Sequence, residues 1–140
     1  MKPKTTSGWV VATAALLIPL LLVLVPSAQM DLSHRSLQMQ QGVASYYHDR
    51  LQGRRTASGE RYDGRKYTAA HKHLPIGTRV RITNLETGKS IMVRINDRGP
   101  FVQERVIDLS RRAARDLGIL NAGLAPVRVE VVELPDADQT

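Results

Sequence analysis

From Gly8 to Val25 the chain runs eighteen residues without one charged side chain, directly after a short basic start at Lys2 and Lys4. A basic end, an apolar stretch and small residues around Ser27 and Ala28 make the layout of an export signal. The run also reaches the lower limit for crossing a bilayer, so an uncleaved anchor with a cytoplasmic N-terminus is the rival expectation. On either reading residues 1–28 stand apart from the fold, and the rest is expected to be exported. Residues 29–41 are polar, with clustered Gln, and read as a linker; residues 135–140 read as an acidic, polar tail. Between them lie residues 42–134, enough for one small core and no second one.

Lys and Arg exceed Asp and Glu by 20 to 13. Setting aside Lys2 and Lys4 lowers that surplus from seven to five, which still favours an anionic partner without naming it. Nucleic acid is not expected as a partner. The basic residues are scattered along strands and a helix, and only six aromatic residues are available for stacking. The complete lack of Cys removes disulfides, thiolate nucleophiles and Cys-ligated metal sites. His48, His71 and His73 show neither helix-face nor zinc-finger spacing, so no metal site and no cofactor are expected.

The body reads mainly as β-structure. Gly42 to Tyr47 is a first strand, and Thr78 to Thr83 alternates, with Val80 and Ile82 opposed to Arg79 and Arg81. Asn84-Leu-Glu-Thr-Gly88 supplies turn chemistry, and Ser90 to Ile95 returns as the second strand of a hairpin. Val127 to Leu134 is a final strand. The sequence predicts one short helix, capped by Ser110, running from Arg111 to Leu117 and stopped by Gly118.

Three segments carry more polar information than a fold requires: Thr56-Ala-Ser-Gly-Glu60, Thr68-Ala-Ala-His71 and Arg94-Ile-Asn-Asp-Arg-Gly-Pro-Phe101. Asp97 follows an apolar strand and meets a rigid turn, which would hold a carboxylate in place while leaving it open to a ligand. Burial would raise its pKa and suit a general acid, whereas Arg98 would lower it. The competing reading is an Asx-type turn in which Asp97 or Asn96 serves only local backbone N–H groups. Glu60 alone reads as a solvated loop charge; paired with Asp97 it suits glycoside chemistry, where two carboxyl groups flank the scissile bond. His71 reads as a proton carrier, an orienting donor or a satisfied half-buried side chain.

Taken in order, Gly42-Val-Ala-Ser-Tyr-Tyr47, Thr56-Ala-Ser-Gly-Glu60, Thr68-Ala-Ala-His71, Leu74-Pro-Ile-Gly-Thr78, Val80-Arg-Ile-Thr-Asn84, Val93-Arg-Ile-Asn-Asp-Arg-Gly-Pro-Phe101 and Val106-Ile-Asp-Leu-Ser110 resemble the rare lipoprotein A (RlpA-like) domain family. The resemblance covers residues 42–134. It implies a six-stranded double-psi β-barrel with one short helix, preceded by the signal or anchor helix. It also implies endolytic lytic transglycosylase activity on bacterial peptidoglycan, with Glu60, His71 and Asp97 as the catalytic residues.

In the implied chemistry, Asp97 protonates the glycosidic oxygen between N-acetylmuramic acid and N-acetylglucosamine. The C6 hydroxyl then attacks the anomeric carbon, leaving a 1,6-anhydro end. Glu60 orients the sugar or stabilises developing positive charge, and His71 is bonded near one carboxyl group. Tyr46 and Tyr47, where the family usually carries Trp-Tyr, are candidate sugar-stacking faces. Arg98 is a candidate for substrate carboxylates, and Ser58 (usually Asn) and Asn96 complete the binding set. A lipid-bearing Cys at the cleavage point is common in the family; lacking any Cys, this chain is not expected to be a lipoprotein. The expected setting is the periplasm, free or anchored to the inner membrane, with peptidoglycan strands as partner, divisome or wall-synthesis proteins as candidate partners, and a monomeric chain. An expansin-like module that binds glycan without cleaving it is the alternative.

Overall fold

The computed structural model of the chain describes residues 38–136, with Met1 and Gly8 the only described positions outside that stretch. The expected signal or anchor, most of the linker and the last four tail residues therefore lie outside the described residues. Among the described residues, no helix is long and apolar enough to cross a membrane.

Six strands make the body: β1 (Met39–Tyr46), β2 (Thr68–His71), β3 (Arg79–Asn84), β4 (Ser90–Asp97), β5 (Arg105–Leu109) and β6 (Ala125–Glu133). They close in the order β1-β5-β2-β4-β3-β6. The β1–β5 and β2–β4 seams are parallel, and the other four are antiparallel. This is a double-psi β-barrel, as the resemblance implies. Closure pairs both edges of every strand, which removes the free edges a small open sheet would expose.

Alternation builds the interior. Along β3, Val80 and Ile82 are fully buried while Arg79 and Arg81 face water. Val93 and Ile95 of β4, Ile107 and Leu109 of β5, and Val127 and Val129 of β6 join them in one core. The β3–β4 hairpin turns as its sequence demands: Asn84 Oδ1 accepts the Glu86 N–H at 2.9 Å, and the Gly88 N–H reaches the Asn84 carbonyl at 2.8 Å. Helix α1 (Arg111–Leu117) starts where Ser110 Oγ accepts the Ala113 N–H and ends at Gly118. Its Ala113, Ala114 and Leu117 seat it on the core against β4 and β1.

Two features differ from the sequence reading. The first strand begins at Met39, inside the stretch read as linker, because Met39, Gln40 and Gln41 pair with Glu130, Val129 and Arg128 of β6. β2 and β5 are short and almost wholly buried, so they lack the alternation that marks a half-exposed strand.

Candidate active site

The site forms where β4 leaves its regular ladder. Ala69 of β2 pairs with Ile95, but Ala70 pairs with Asp97, so the register shifts and Asn96 is the extra residue. Such a bulge bends a strand and re-aims its side chains. Asn96 is buried, and its carbonyl accepts the Ser58 N–H at 3.0 Å. Residues 56–60 are themselves folded into a tight turn: the Glu60 carbonyl accepts from the Thr56 N–H at 2.8 Å and from Thr56 Oγ1 at 2.9 Å. The Glu60 motif thus docks on the end of β4 as a preformed unit.

Asp97 is held by three donors. Its Oδ1 accepts the main-chain N–H of Ala57 at 2.9 Å and of Arg98 at 2.8 Å, and its Oδ2 accepts the Tyr47 hydroxyl at 2.6 Å. Two of these three come from distant parts of the chain, so a purely local Asx turn does not describe Asp97. The Arg98 guanidinium does not pair with this carboxylate. Its Nη1 donates to the carbonyls of Leu74 at 2.7 Å and His71 at 3.2 Å. Burial, and then the bond to Asp97, push the Tyr47 phenol well above its ordinary range, which keeps its proton in place as a donor.

Glu60 meets Arg94 in a two-pronged pair, Nη1 to Oε1 at 2.6 Å and Nη2 to Oε2 at 2.8 Å. Ser58 Oγ adds a third contact to Oε1 at 3.3 Å. The Arg94 hydrogen bonds hold the Glu60 carboxyl below its usual value against partial burial, so at neutral pH it is a carboxylate. Both side chains remain more than a third exposed, at the lip of an open cleft. This cleft, of about 960 Å³, is lined by Ser58, Glu60, Pro75, Arg79, Arg94 and Arg98 among others. That volume lies in the range of ligand-binding clefts.

His71 sits apart from both carboxylates. Its Nδ1 accepts the main-chain N–H groups of His73 at 3.1 Å and Leu74 at 3.0 Å, and its Nε2 lies 2.8 Å from Gln40 Oε1. Two donors at Nδ1 and an amide oxygen at Nε2 fix the neutral Nε2–H tautomer. Burial, with the nearby charges of His73 and Arg98 adding, lowers its pKa to about 4. His71 pins the turn at 71–74, and that turn supplies the two carbonyls that hold Arg98. It bonds the carboxyl of neither Glu60 nor Asp97.

Tyr46 and Tyr47, the expected stacking residues, are partly buried and each has a protein partner. Tyr46 packs on the core and donates to the Leu120 carbonyl at 3.0 Å; the Tyr47 ring lies 4.5 Å from that of Tyr62. Ser58 Oγ spends itself within its turn, 2.9 Å from Thr56 Oγ1. Among the described residues no cluster of three or more His, Cys, Asp or Glu could hold a metal ion.

Two side chains lie inside the sequence motifs without a role assigned to them there. Arg94 interrupts an apolar strand, and Asp108 lies within the apolar Val106-Ile-Asp-Leu109; such interruptions are the signal that was available. Ala70 of β2 pairs with both Asp97 and Asp108, and Asp108 pairs with Ser45 of β1. Paired residues lie on one side of a sheet, so Asp97, Ala70, Asp108 and Ser45 form a row across four strands. The two acidic Cα atoms are then about 10 Å apart, two strand spacings, with the small Ala70 between them. Asp108 is hydrogen-bonded to the Ser45 hydroxyl. Burial pushes its carboxyl above the ordinary Asp value, the Ser45 bond opposes this, and the charge of Asp97 adds a little.

A closed double-psi barrel defines a class of small β-barrels, and solved structures place the chain in that class by its fold. A Streptomyces papain inhibitor matches with TM-score 0.56 and 24% identity, over 69% of this chain and 96% of that one. The Clavibacter michiganensis expansin matches with TM-score 0.54 and 24% identity, over 71% of this chain and 52% of that one. Residues 39–129 match the lytic transglycolase family model, and the chain belongs to that family. It is similar to the endolytic peptidoglycan transglycosylase RlpA of Pasteurella multocida, 54% identical over 66% of this chain and 32% of that protein. A probable endolytic peptidoglycan transglycosylase RlpA of a Nostoc species is 58% identical, over 66% of this chain and 25% of that protein. The chain thus spans a quarter to a third of the length of these two relatives.

Proposed function

We propose that this chain is an endolytic lytic transglycosylase that cleaves the bond between N-acetylmuramic acid and N-acetylglucosamine in peptidoglycan. The observation that carries the reading is Asp97, fastened by Tyr47, Ala57 and Arg98, next in the chain to Arg98 of a cleft that the ionised Glu60 also lines. Asp97 gives its proton to the leaving glycosidic oxygen as the bond from C1 breaks. The three donors around it then stabilise the carboxylate that results. The C6 hydroxyl of the same muramic acid bonds to C1 and returns its proton to Asp97. The step balances with no protein nucleophile and no cofactor, and it leaves a 1,6-anhydro end.

Glu60, kept charged by Arg94, faces the positive charge that develops on the sugar ring. Asp108, whose carboxyl burial shifts toward the neutral form, lies in the same row as Asp97. His71 acts at one remove, through the turn that holds Arg98. Arg79 and Arg98 line the cleft where substrate carboxylates would lie. The names and identities of the relatives support this reading over a glycan-binding module.

Such a substrate puts the body in the cell envelope, in the periplasm or held to the inner membrane by residues 1–28. With no Cys in its sequence, the chain would carry no lipid on a cleavage-point thiol. Divisome or wall-synthesis proteins are the partners to look for. The closed barrel, which leaves no unpaired sheet edge among the described residues, supports a monomer.

The test is to incubate the full chain with purified sacculi and to analyse the released material by mass spectrometry. Release of 1,6-anhydromuramyl products is expected. Binding without release would overturn the enzyme reading and leave the binding module.

A further inference from the structure

Phe101 is the only Phe in the chain, and at 87% exposure it is the most exposed apolar side chain among residues 38–136. Val102 beside it is 51% exposed. A lone exposed apolar residue on a loose loop would need no explanation. This one stands on a fixed loop. The Arg98 N–H is bonded to Asp97, the Arg98 guanidinium is bonded to two carbonyls, and Gly99 and Pro100 are buried. At the far end of the loop, the Glu104 carbonyl accepts the Val43 N–H at 3.1 Å.

Gly99 has φ +128°, a conformation that L side chains rarely adopt. The Phe101 ring rests one edge against it, its Cε2 and Cδ2 at 3.6 and 3.8 Å from where a Gly99 Cβ would stand. The rest of the ring is open to water. It follows Asp97 by four residues, so its Cα lies within about 14 Å of the Asp97 Cα, within reach of the same glycan strand.

The other aromatics near the site are committed. Tyr46 is packed on the core, Tyr47 and Tyr62 lie against each other, and Tyr67 carries the Arg112 guanidinium over its ring at 4.5 Å. We infer that Phe101 is the stacking platform for a pyranose ring of the glycan, at a subsite beside the bond that Asp97 attacks. The inference rests on the proposed function for its substrate. The equatorial substituents of a β-linked hexosamine leave its axial C–H bonds as an apolar face, and a rigid aromatic ring matches such a face at low cost in entropy. Continuity supports this occupant over a protein: Arg98, which lines the cleft, is separated from Phe101 only by the two buried residues Gly99 and Pro100.

The test uses the full chain, Phe101→Ala, Phe101→Trp, and Leu85→Ala as a control. Leu85 is also exposed but sits in the hairpin turn at the opposite end of β4. Binding to peptide-stripped sacculi and release of anhydro products are measured separately, together with melting temperature. Phe101→Ala is expected to weaken binding and raise KM by about tenfold while kcat stays within about twofold. Phe101→Trp should restore both, Leu85→Ala should match the parent, and all four should melt alike.

Unchanged binding by Phe101→Ala, or an equal loss in Leu85→Ala, overturns the platform. So does a Phe101→Ala chain that keeps its glycan kinetics but loses a protein partner, or a parent chain that does not bind sacculi. If the parent binds through Phe101 yet releases no anhydro product, the platform stands and the enzyme reading falls.

Discussion

β4 is paired on both sides, and its two pairings differ in kind. Toward β3 it runs antiparallel and in step from Arg94 opposite Arg79 to Ser90 opposite Thr83. Toward β2 it runs parallel and slips between Ala69 and Ala70. The regular seam buries Val80, Ile82 and Val93 and at one end sets Arg79 and Arg94 on the cleft; the slipped seam presents Asp97, receives the Glu60 turn and aligns Asp108. Ladder hydrogen bonds left open by the slip are filled by a loop instead, as the Ser58 N–H bonded to the Asn96 carbonyl shows. The regular edge thus mainly packs the core, while the slipped edge places the carboxylate Asp97.

The largest effect should come from the slipped edge. Asp97→Asn keeps the shape and its contacts to Ala57 and Arg98 but removes the proton, so product release should fall by about 10²- to 10⁴-fold with the melting temperature near the parent's. Ile82→Ala, on the regular edge, should do the reverse. It should cost about 2–5 kcal/mol in denaturant titrations, with kcat per folded molecule preserved.

A pH titration of stability reads His71. An unfolded imidazole takes its proton near pH 6.5, and the folded one only near pH 4. Between those values the unfolded chain binds more protons, so stability should fall as pH drops from about 6.5 to about 4, by on the order of 3 kcal/mol. His71→Gln should lose that slope. A His71 acting as proton carrier would instead impose a limb on kcat near neutrality.

Arg94→Gln should lower cleavage by about tenfold, the scale of one charge-assisted pair. The depressed Glu60 pKa stabilises the fold above the unfolded carboxyl value, and that contribution is lost as pH falls through the folded value. In the variant this window should narrow, visible as a smaller change in melting temperature across the acidic range. The smallest change is expected in Asp108→Asn. An amide keeps the shape of the carboxyl and can still meet the Ser45 hydroxyl, so activity should stay within about threefold of the parent.

The parts legible in the sequence are those set by neighbours in the chain. Ser110 and Gly118 bracket the helix, and the Asn84–Gly88 turn with alternating Val80 and Ile82 defines the hairpin, because capping and periodicity act over a few residues. The motif order also carried the family and hence the barrel. Partnerships across distance stayed hidden. Arg94 lies 34 positions from Glu60, and Tyr47 lies 50 from Asp97, to which its hydroxyl donates a hydrogen bond. Nothing local in Met39–Gln41 announces a strand; β6 makes it one. Arg98 next to Asp97 in sequence suggested an ion pair, yet main-chain carbonyls at 71 and 74 claimed its guanidinium.

The central claim is that Asp97 moves a proton both ways while the sugar's own hydroxyl, not water, closes on C1. Digesting sacculi in water enriched in heavy oxygen tests it directly. The account predicts 1,6-anhydro ends that carry no label, and product lowered by about 10²- to 10⁴-fold in Asp97→Asn. Labelled reducing ends, or a competent Asp97→Asn chain, would contradict it.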